Sequence, residues 1–299
     1  MKVLVTGATG FVGTVITERL QAAGHLARAL VRTAAKAQFL QERGVEVRFG
    51  DATDRTSLHA ALADCEAVIH LIAIIQEFPS RGVTFERINY EATLNLIEAA
   101  KACGVRRFLH MSALGATPDG PTPYFRTKGK AEEAVRRSGL EFTIFRPSFI
   151  YGRGDAVYSL LARMLRLSPF GLFPLFGDGL YRSQPVAVQD VADGFVKALN
   201  LPVSVGKTYD VGGPYPLPFR EQIELIGKVI GKSVRFLSLP LPLSRNFVRI
   251  AQLFPFSPID LDRLTMLTSD NVCDPQPFAE ELGIHLTPFE VGIGYLKDV

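Results

Sequence analysis

The chain has no tryptophan, five histidines and only three cysteines in 299 residues, and each scarcity removes a class of protein. Cys65, Cys103 and Cys273 are odd in number, widely separated and without metal-ligand spacing. That excludes a disulfide framework and predicts buried thiols in a reducing compartment. His25, His59, His70, His110 and His285 stand alone, with no carboxylate or thiol at ligand spacing, so no metal site is expected. His70 and His110 fall on strands and read as satisfied core residues. No apolar run is long enough to span a bilayer, because charges or prolines interrupt every candidate. No run of Lys and Arg offers a groove for a polyanion, and a net charge of +3 is too slight to argue for nucleic acid. Met1-Lys2 leads straight into a strand, leaving no room for a signal peptide, and a cytoplasmic chain is expected.

What is present is a chain 47% hydrophobic and 21% charged, able to bury one large core or a large and a small one. Residues 3–13 read Val-Leu-Val-Thr-Gly-Ala-Thr-Gly-Phe-Val-Gly. Val3–Val5 suits a buried central strand. Gly7 permits a sharp turn, Gly10 lets backbone approach a pyrophosphate with no Cβ in the way, and Gly13 lets the next helix lie close to the sheet. Free N–H groups and the positive end of the helix dipole then face the phosphates. The spacing GxxGxxG is one residue wider at its first gap than the common fingerprint, but its place between a strand and an amphipathic run predicts a dinucleotide site.

Strand and helix alternate through the first half, which implies a parallel sheet covered on both faces. Helices are expected at about 11–23, 34–41, 58–62, 85–102 and 124–138. Strands are expected at 3–6, 25–31, 45–49, 67–71, 108–111 and 141–146. The fold class is therefore α/β, a doubly wound parallel sheet with a smaller C-terminal lobe. Residues 1–150, with 180–212 returning, would form the nucleotide-binding domain. Residues 151–179 and 213–299 would form the lobe, with the cleft above the C-terminal ends of the strands.

An NAD-binding unit would carry an acid about 20 residues past the glycine turn to hold the ribose 2′-hydroxyl. This chain has Arg32 there, and Lys36 one helical turn later. A guanidinium pairs with a 2′-phosphate, so NADP(H) is expected over NAD(H). Asp51, after the third strand, would accept from the adenine amino group or stabilise its own turn. Ser112 follows the fifth strand, while Tyr124 and Lys128 are four apart on one helix and share a face. An ammonium near a tyrosine, together with an oxidised nicotinamide, would favour phenolate and bring proton transfer into reach.

These pieces resemble the short-chain dehydrogenase/reductase superfamily in its extended or atypical branch. The matching segments are TGATGFVG (6–13), GDATD (50–54), Ser112, YFRTK (124–128), RPSFIYG (146–152), QPVAVQDVAD (184–193) and YDVGGP (209–214). LTMLTSDNV (264–272) and ELGIHLTPFE (281–290) are similar to the NAD(P)-binding accessory subunit of respiratory complex I and its free-standing bacterial relatives. The resemblance implies a Rossmann-type domain in which Gly7, Thr9, Gly10, Phe11 and Val12 contact pyrophosphate and ribose. Arg32 and Lys36 would take the 2′-phosphate, and Asp51 with Ala52 the adenine. Leu71, Ile72 and Ala73 would floor the site where other members carry Asn-Ala-Gly. Tyr124 and Lys128 would hold the nicotinamide ribose, with Pro147, Ser148, Phe149 and Ile150 against the nicotinamide.

Three functions compete on this reading. The first is an NADP(H)-dependent oxidoreductase passing hydride between nicotinamide and a carbonyl or alcohol, with Ser112, Tyr124 and Lys128 as catalytic residues. The second is a non-catalytic NADPH-holding scaffold or redox sensor bound to a membrane complex. The third is a nucleotide-sugar epimerase or dehydratase, against which Arg32 and the apolar lobe both argue. The Phe, Leu and Pro segments 168–176 and 236–258 leave an apolar substrate, a membrane surface or a protein partner open.

Overall fold

The computed structural model describes residues 1–251 and 260–299, so the part of the 236–258 segment from residue 252 onward lies outside the described residues. The chain divides into two compact units: Met1–Pro147 with Val188–Val211 and Asp274–His285, and Ser148–Ala187 with Gly212–Cys273 and Leu286–Val299.

In the first unit, strands β1 (Lys2–Thr6), β2 (Leu26–Val31), β3 (Glu46–Phe49), β4 (Ala67–His70), β5 (Arg107–Met111) and β6 (Glu141–Pro147) alternate with helices. These helices are α1 (Phe11–Ala22), α2 (Ala34–Gln41), α3 (Arg55–Leu62), α4 (Ala92–Ala102) and α5 (Pro123–Arg136). With Lys207–Val211 at one edge, the sheet order is Lys207–Val211, β6, β5, β4, β1, β2, β3, and every pairing is parallel. This is the doubly wound, Rossmann-type order. Its reversal lies between β1 and β4, where such sheets leave a crevice beyond the strand ends. Covering helices explain why β1 is a continuous apolar run: Val3, Leu4 and Val5 are all fully buried. Leu4, Leu58, Leu62, Val68, Leu96 and Phe108 belong to one apolar cluster of this core.

Local chemistry moves several boundaries. Asp54 accepts a hydrogen bond from the Thr56 amide at 3.0 Å, so α3 starts at Arg55 rather than at Leu58. Thr122 caps α5 and Pro123 occupies its first position, where a missing N–H costs nothing. The helix expected over 85–102 is not uniform. A π-helical turn, Glu86–Glu91, precedes α4 and widens it around Asn89.

The segment Asp274–His285 packs with the first unit, whereas the sequence reading puts it in the smaller lobe. Phe278 is buried edge-on to Phe145 and over Gly194, where a Cβ would fall 2.4 Å from its ring. Glu281 accepts from the Tyr209 hydroxyl at 2.7 Å and pairs with Lys207.

The second unit is built around helix α6 (Val157–Leu167) and the helix Phe219–Ile230. Its core includes Tyr151, Tyr158, Leu165, Phe173, Ile223 and Phe289. The Pro- and Phe-dense stretch contains a strand, Leu172–Phe176, parallel to Arg235–Leu239. Pro174 fits because a two-stranded sheet leaves one edge of each strand unpaired. Among the described residues no helix is long and apolar enough to cross a membrane.

Candidate active site

At the end of β1 the three glycines hold three different positions. Gly7 has φ +81° and lies so close to Leu71 that a Cβ would sit 3.3 Å from its backbone. This brings the turn against the residues that follow β4, and the Leu71 amide donates to the Thr6 carbonyl at 3.1 Å. Gly13 is packed under the turn, where a Cβ would fall 2.2 Å from the Gly7 oxygen. Gly10 is the N-cap of α1 and has only the Gly7 oxygen near its missing Cβ, at 3.2 Å. The first turn of α1 carries no acidic residue and no side-chain cap. Its amides and dipole are thus left for an anion, and Gly10 is open on the side from which one would come. The fit of this cradle to a pyrophosphate rests on these observations. Thr9 and Phe11 are half-buried beside it, and Val12 is buried.

Arg32, just past β2, is exposed, and its guanidinium lies 3.8 Å from the Asp51 carboxylate. The other Asp51 oxygen accepts from the Thr53 amide and hydroxyl, both at 2.9 Å, so Asp51 also fixes its own turn. Ala52 is buried and Lys36 is exposed on α2. The residues at the end of β2, Leu30 and Val31, and Arg32 just past it include no acid.

Leu71, Ile72 and Ala73 grade from buried to exposed. Their loop is clamped by a residue the sequence reading missed: the Asn89 side chain accepts from the Ile74 amide at 2.8 Å and donates to its carbonyl at 3.2 Å. His70 bonds the hydroxyls of Thr6 and Thr93, and burial pushes its pKa down to about 3, so it is neutral and structural. His110 departs from expectation. It is buried and stacked on His70 at 5.3 Å, yet neither ring nitrogen has a hydrogen-bond partner. Of the cysteines only Cys65 is buried, whereas Cys103 and Cys273 are half-buried.

Ser112 and Lys128 come together at the end of β5. The Lys128 ammonium, almost wholly buried, donates to the Met111 carbonyl at 2.6 Å, one residue before Ser112. The Ser112 hydroxyl is buried and faces the Glu132 carboxylate, whose charged form it helps to favour. Its backbone is fixed by β6, through a 2.7 Å bond from its amide to the Phe145 carbonyl. Burial pulls the Lys128 pKa down to about 8, and the Glu132 carboxylate one turn along α5 works against that. Glu132, fully buried, is matched to Arg146 by two bonds of 2.8 and 2.6 Å and to Arg136 at 2.7 Å. Burial raises its pKa, and the Arg146 pairing more than offsets this, holding it below the usual carboxylate range. Glu132 also escaped the sequence reading, although it is eight residues beyond Tyr124 on the same helical face.

Tyr124 lies near the start of α5, half-buried against Phe85 and Phe125. Burial pushes its pKa up to about 12, with no lowering by Lys128. Pro147 ends β6 and accepts from the Leu114 amide at 3.0 Å. Ser148, Phe149 and Ile150 belong to the second unit, where Ser148 bonds Asn271 at 2.6 Å and Ile150 pairs with Val186.

The sheet order, the glycine cradle and the Ser/Tyr/Lys set define an extended short-chain dehydrogenase/reductase architecture. The family model described as "NAD dependent epimerase/dehydratase family" matches residues 3–212, and the chain belongs to that family. It is 32% identical over 285 residues to the Arabidopsis thaliana mitochondrial NADH dehydrogenase [ubiquinone] 1 alpha subcomplex subunit 9, covering 90% of this chain and 70% of that protein. It is 30% identical over 244 residues to the NAD(P)H azoreductase of Xenophilus azovorans, covering 82% of this chain and 79% of that one. In fold it is similar to the Thermus thermophilus UDP-glucose 4-epimerase in complex with NAD, with a TM-score of 0.77 at 24% identity, over 100% of this chain and 98% of that one.

The depressed Lys128 pKa has a consequence for stability. Between about 8 and its ordinary 10.5 the unfolded chain binds more protons than the folded one, so this group makes stability rise with pH across that window. Below about 8 both states are charged and the burial penalty is fully present. Lys128→Met is expected to be more stable than wild type at pH 7 and to lose that rise, as measured by urea unfolding from pH 7 to 11. A variant with the wild-type pH profile would show that Lys128 titrates normally.

Proposed function

We propose that the chain binds NADP(H) in preference to NAD(H) and reduces a small, largely apolar carbonyl compound. The observation that carries this reading is the buried Lys128 ammonium, bonded to the Met111 carbonyl beside Ser112 at the end of β5. A buried ammonium is costly, and a cofactor or substrate oxygen at that strand end would offset the cost.

Gly7, Thr9, Gly10, Phe11 and Val12 would hold the pyrophosphate and ribose. Arg32 and Lys36 would meet the 2′-phosphate, Asp51 and Ala52 the adenine, and Leu71, Ile72 and Ala73 the floor. Tyr124 and Lys128 would hold the nicotinamide ribose, with Pro147, Ser148, Phe149 and Ile150 beside the ring. When bound, NADP(H) supplies the hydride chemistry. Tyr124 is a protonated phenol at neutral pH, because its pKa stands near 12, so it serves as proton donor to a substrate oxygen. Ser112 donates a hydrogen bond that orients and polarises that oxygen. Lys128 places positive charge beside Ser112.

Two other readings are weighed by specific observations. A nucleotide-sugar substrate needs cations for its diphosphate. In the second unit, Arg182 borders the small cavity that Phe149, Tyr181 and Phe219 help to line, but it is bound by Asp270 at 2.9 Å. A role as a nucleotide-holding component of a larger assembly is favoured by the similarity to the Arabidopsis subunit.

Two substitutions test the proposal. Arg32→Asp is expected to weaken NADPH by at least about tenfold while leaving NADH unchanged or improved, since it removes a charge-assisted contact and adds repulsion. Calorimetric titration of both nucleotides decides it, and equal loss for both would make Arg32 structural. Tyr124→Phe keeps the ring and is expected to cost about 1 kcal/mol of NADPH affinity. Turnover with a carbonyl acceptor should fall roughly 10²–10⁴-fold. Undiminished turnover in that variant would remove Tyr124 as proton donor, and no turnover by wild type across a carbonyl panel would favour the assembly role.

A further inference from the structure

The second unit carries an apolar surface that its described residues leave uncovered. On α6, Val157, Leu160, Met164 and Leu167 recur at three- and four-residue spacing and form one stripe, and all four are exposed. The other face of the helix, with Tyr158, Ala162 and Leu165, fills the core of the unit. Both faces are therefore apolar, and among the described residues only one has a partner. The chain then turns through Phe170, 82% exposed, at a φ of 57° that a bulky side chain rarely adopts, and continues to the exposed Leu172. An aromatic ring held outward on strained backbone is not explained by packing within the unit.

The charges nearest the Phe170 turn are positive. Leu172 is in register with Arg235, and Gly171 lies so close to Ser233 that a Cβ would fall 1.9 Å from its carbonyl oxygen. Lys232 and Arg235 thus flank the Phe170 turn. Arg163 borders the stripe on α6, and Lys228 lies in the last turn of Phe219–Ile230, the helix that packs on α6 through Gly227 and Leu165. All four cations are exposed, and among the described residues none joins an ion pair. No Asp or Glu occurs between residues 156 and 177 or between 225 and 259, and Glu224, one turn before Lys228, is the nearest acid on that helix.

We propose that this face seats the protein on the surface of an anionic phospholipid bilayer. The α6 stripe and Phe170 would enter the boundary between headgroups and acyl chains, while Arg163, Lys228, Lys232 and Arg235 meet lipid phosphates. An apolar ridge rimmed by unpaired cations is the arrangement of an interfacial helix. A second copy docked face to face would set the same cations against one another, which disfavours it. The proposal does not depend on the cofactor reading.

The test is co-sedimentation of the full chain with vesicles of phosphatidylcholine and phosphatidylglycerol, against phosphatidylcholine alone. Wild type should bind the anionic vesicles, at least about tenfold more weakly the neutral ones, and less as salt rises. The double variant Leu167→Glu/Phe170→Glu should lose at least about tenfold in binding. Lys232→Glu/Arg235→Glu should lose about fivefold for each cation removed. Both variants change only exposed side chains and should keep the wild-type circular dichroism and melting temperature. Failure of wild type to bind anionic vesicles, or undiminished binding by either variant, would overturn the proposal. So would a wild-type dimer in native mass spectrometry that Leu167→Glu/Phe170→Glu dissociates without any vesicle binding.

Discussion

Gly13 stacks α1 on the end of β1 at a separation that only a missing side chain permits, since a Cβ there would fall 2.2 Å from the Gly7 carbonyl oxygen. From this close approach the rest of the site follows. It points the first turn of α1, without acid or side-chain cap, along the crevice beside the reversal of strand order between β1 and β4. It presses Gly7 on Leu71, so the loop after β4 takes its position from the same turn. Asn89 then locks that loop by bonding both backbone groups of Ile74, and the π-helical turn that holds Asn89 is the local distortion that makes this reach available.

A second constraint acts behind the proposed chemistry. Lys128 is buried deeply enough to pull its pKa down to about 8, an expensive position for an ammonium. The Met111 carbonyl and the Glu132–Arg146 pair hold it there, with Arg136 closing the other side of the carboxylate. Such a network is a weak source of net stability, because desolvation consumes most of what pairing returns. Its effect is to hold α5, β5 and β6 in one arrangement, with the Ser112 hydroxyl and the Lys128 ammonium at the same strand end.

Signals confined to a few neighbouring residues were legible in the sequence. The β1 turn, α1 and the Tyr124/Lys128 spacing each depend on chemistry within one or two helical turns, and the parallel sheet follows from the alternation of strand and helix. Interactions that close over long separations were not. Asn89 finds its partner 15 residues upstream and Glu132 its partner 14 residues downstream, and nothing in either neighbourhood marks those pairings. The return of Asp274–His285 to the first unit rests on Phe278 fitting over Gly194, which no periodicity reveals. The strand Leu172–Phe176 was hidden by its proline. His110 went the other way from expectation because residue type and spacing say little about how deeply a group is desolvated.

The account stands on the glycine cradle binding a pyrophosphate, and Gly10 isolates that claim from folding. Its backbone is extended, with φ −85° and ψ 174°, and a Cβ would meet only the Gly7 oxygen, at 3.2 Å, which must give by a few tenths of an ångström to admit Gly10→Val. A valine there would occupy the space through which a nucleotide reaches the amides of α1. Titrating NADPH into wild type and Gly10→Val by calorimetry, with melting temperatures alongside, is the most direct test. The account predicts a melting temperature within about 4 °C of wild type and no detectable binding. A folded Gly10→Val protein that retains wild-type affinity would contradict it.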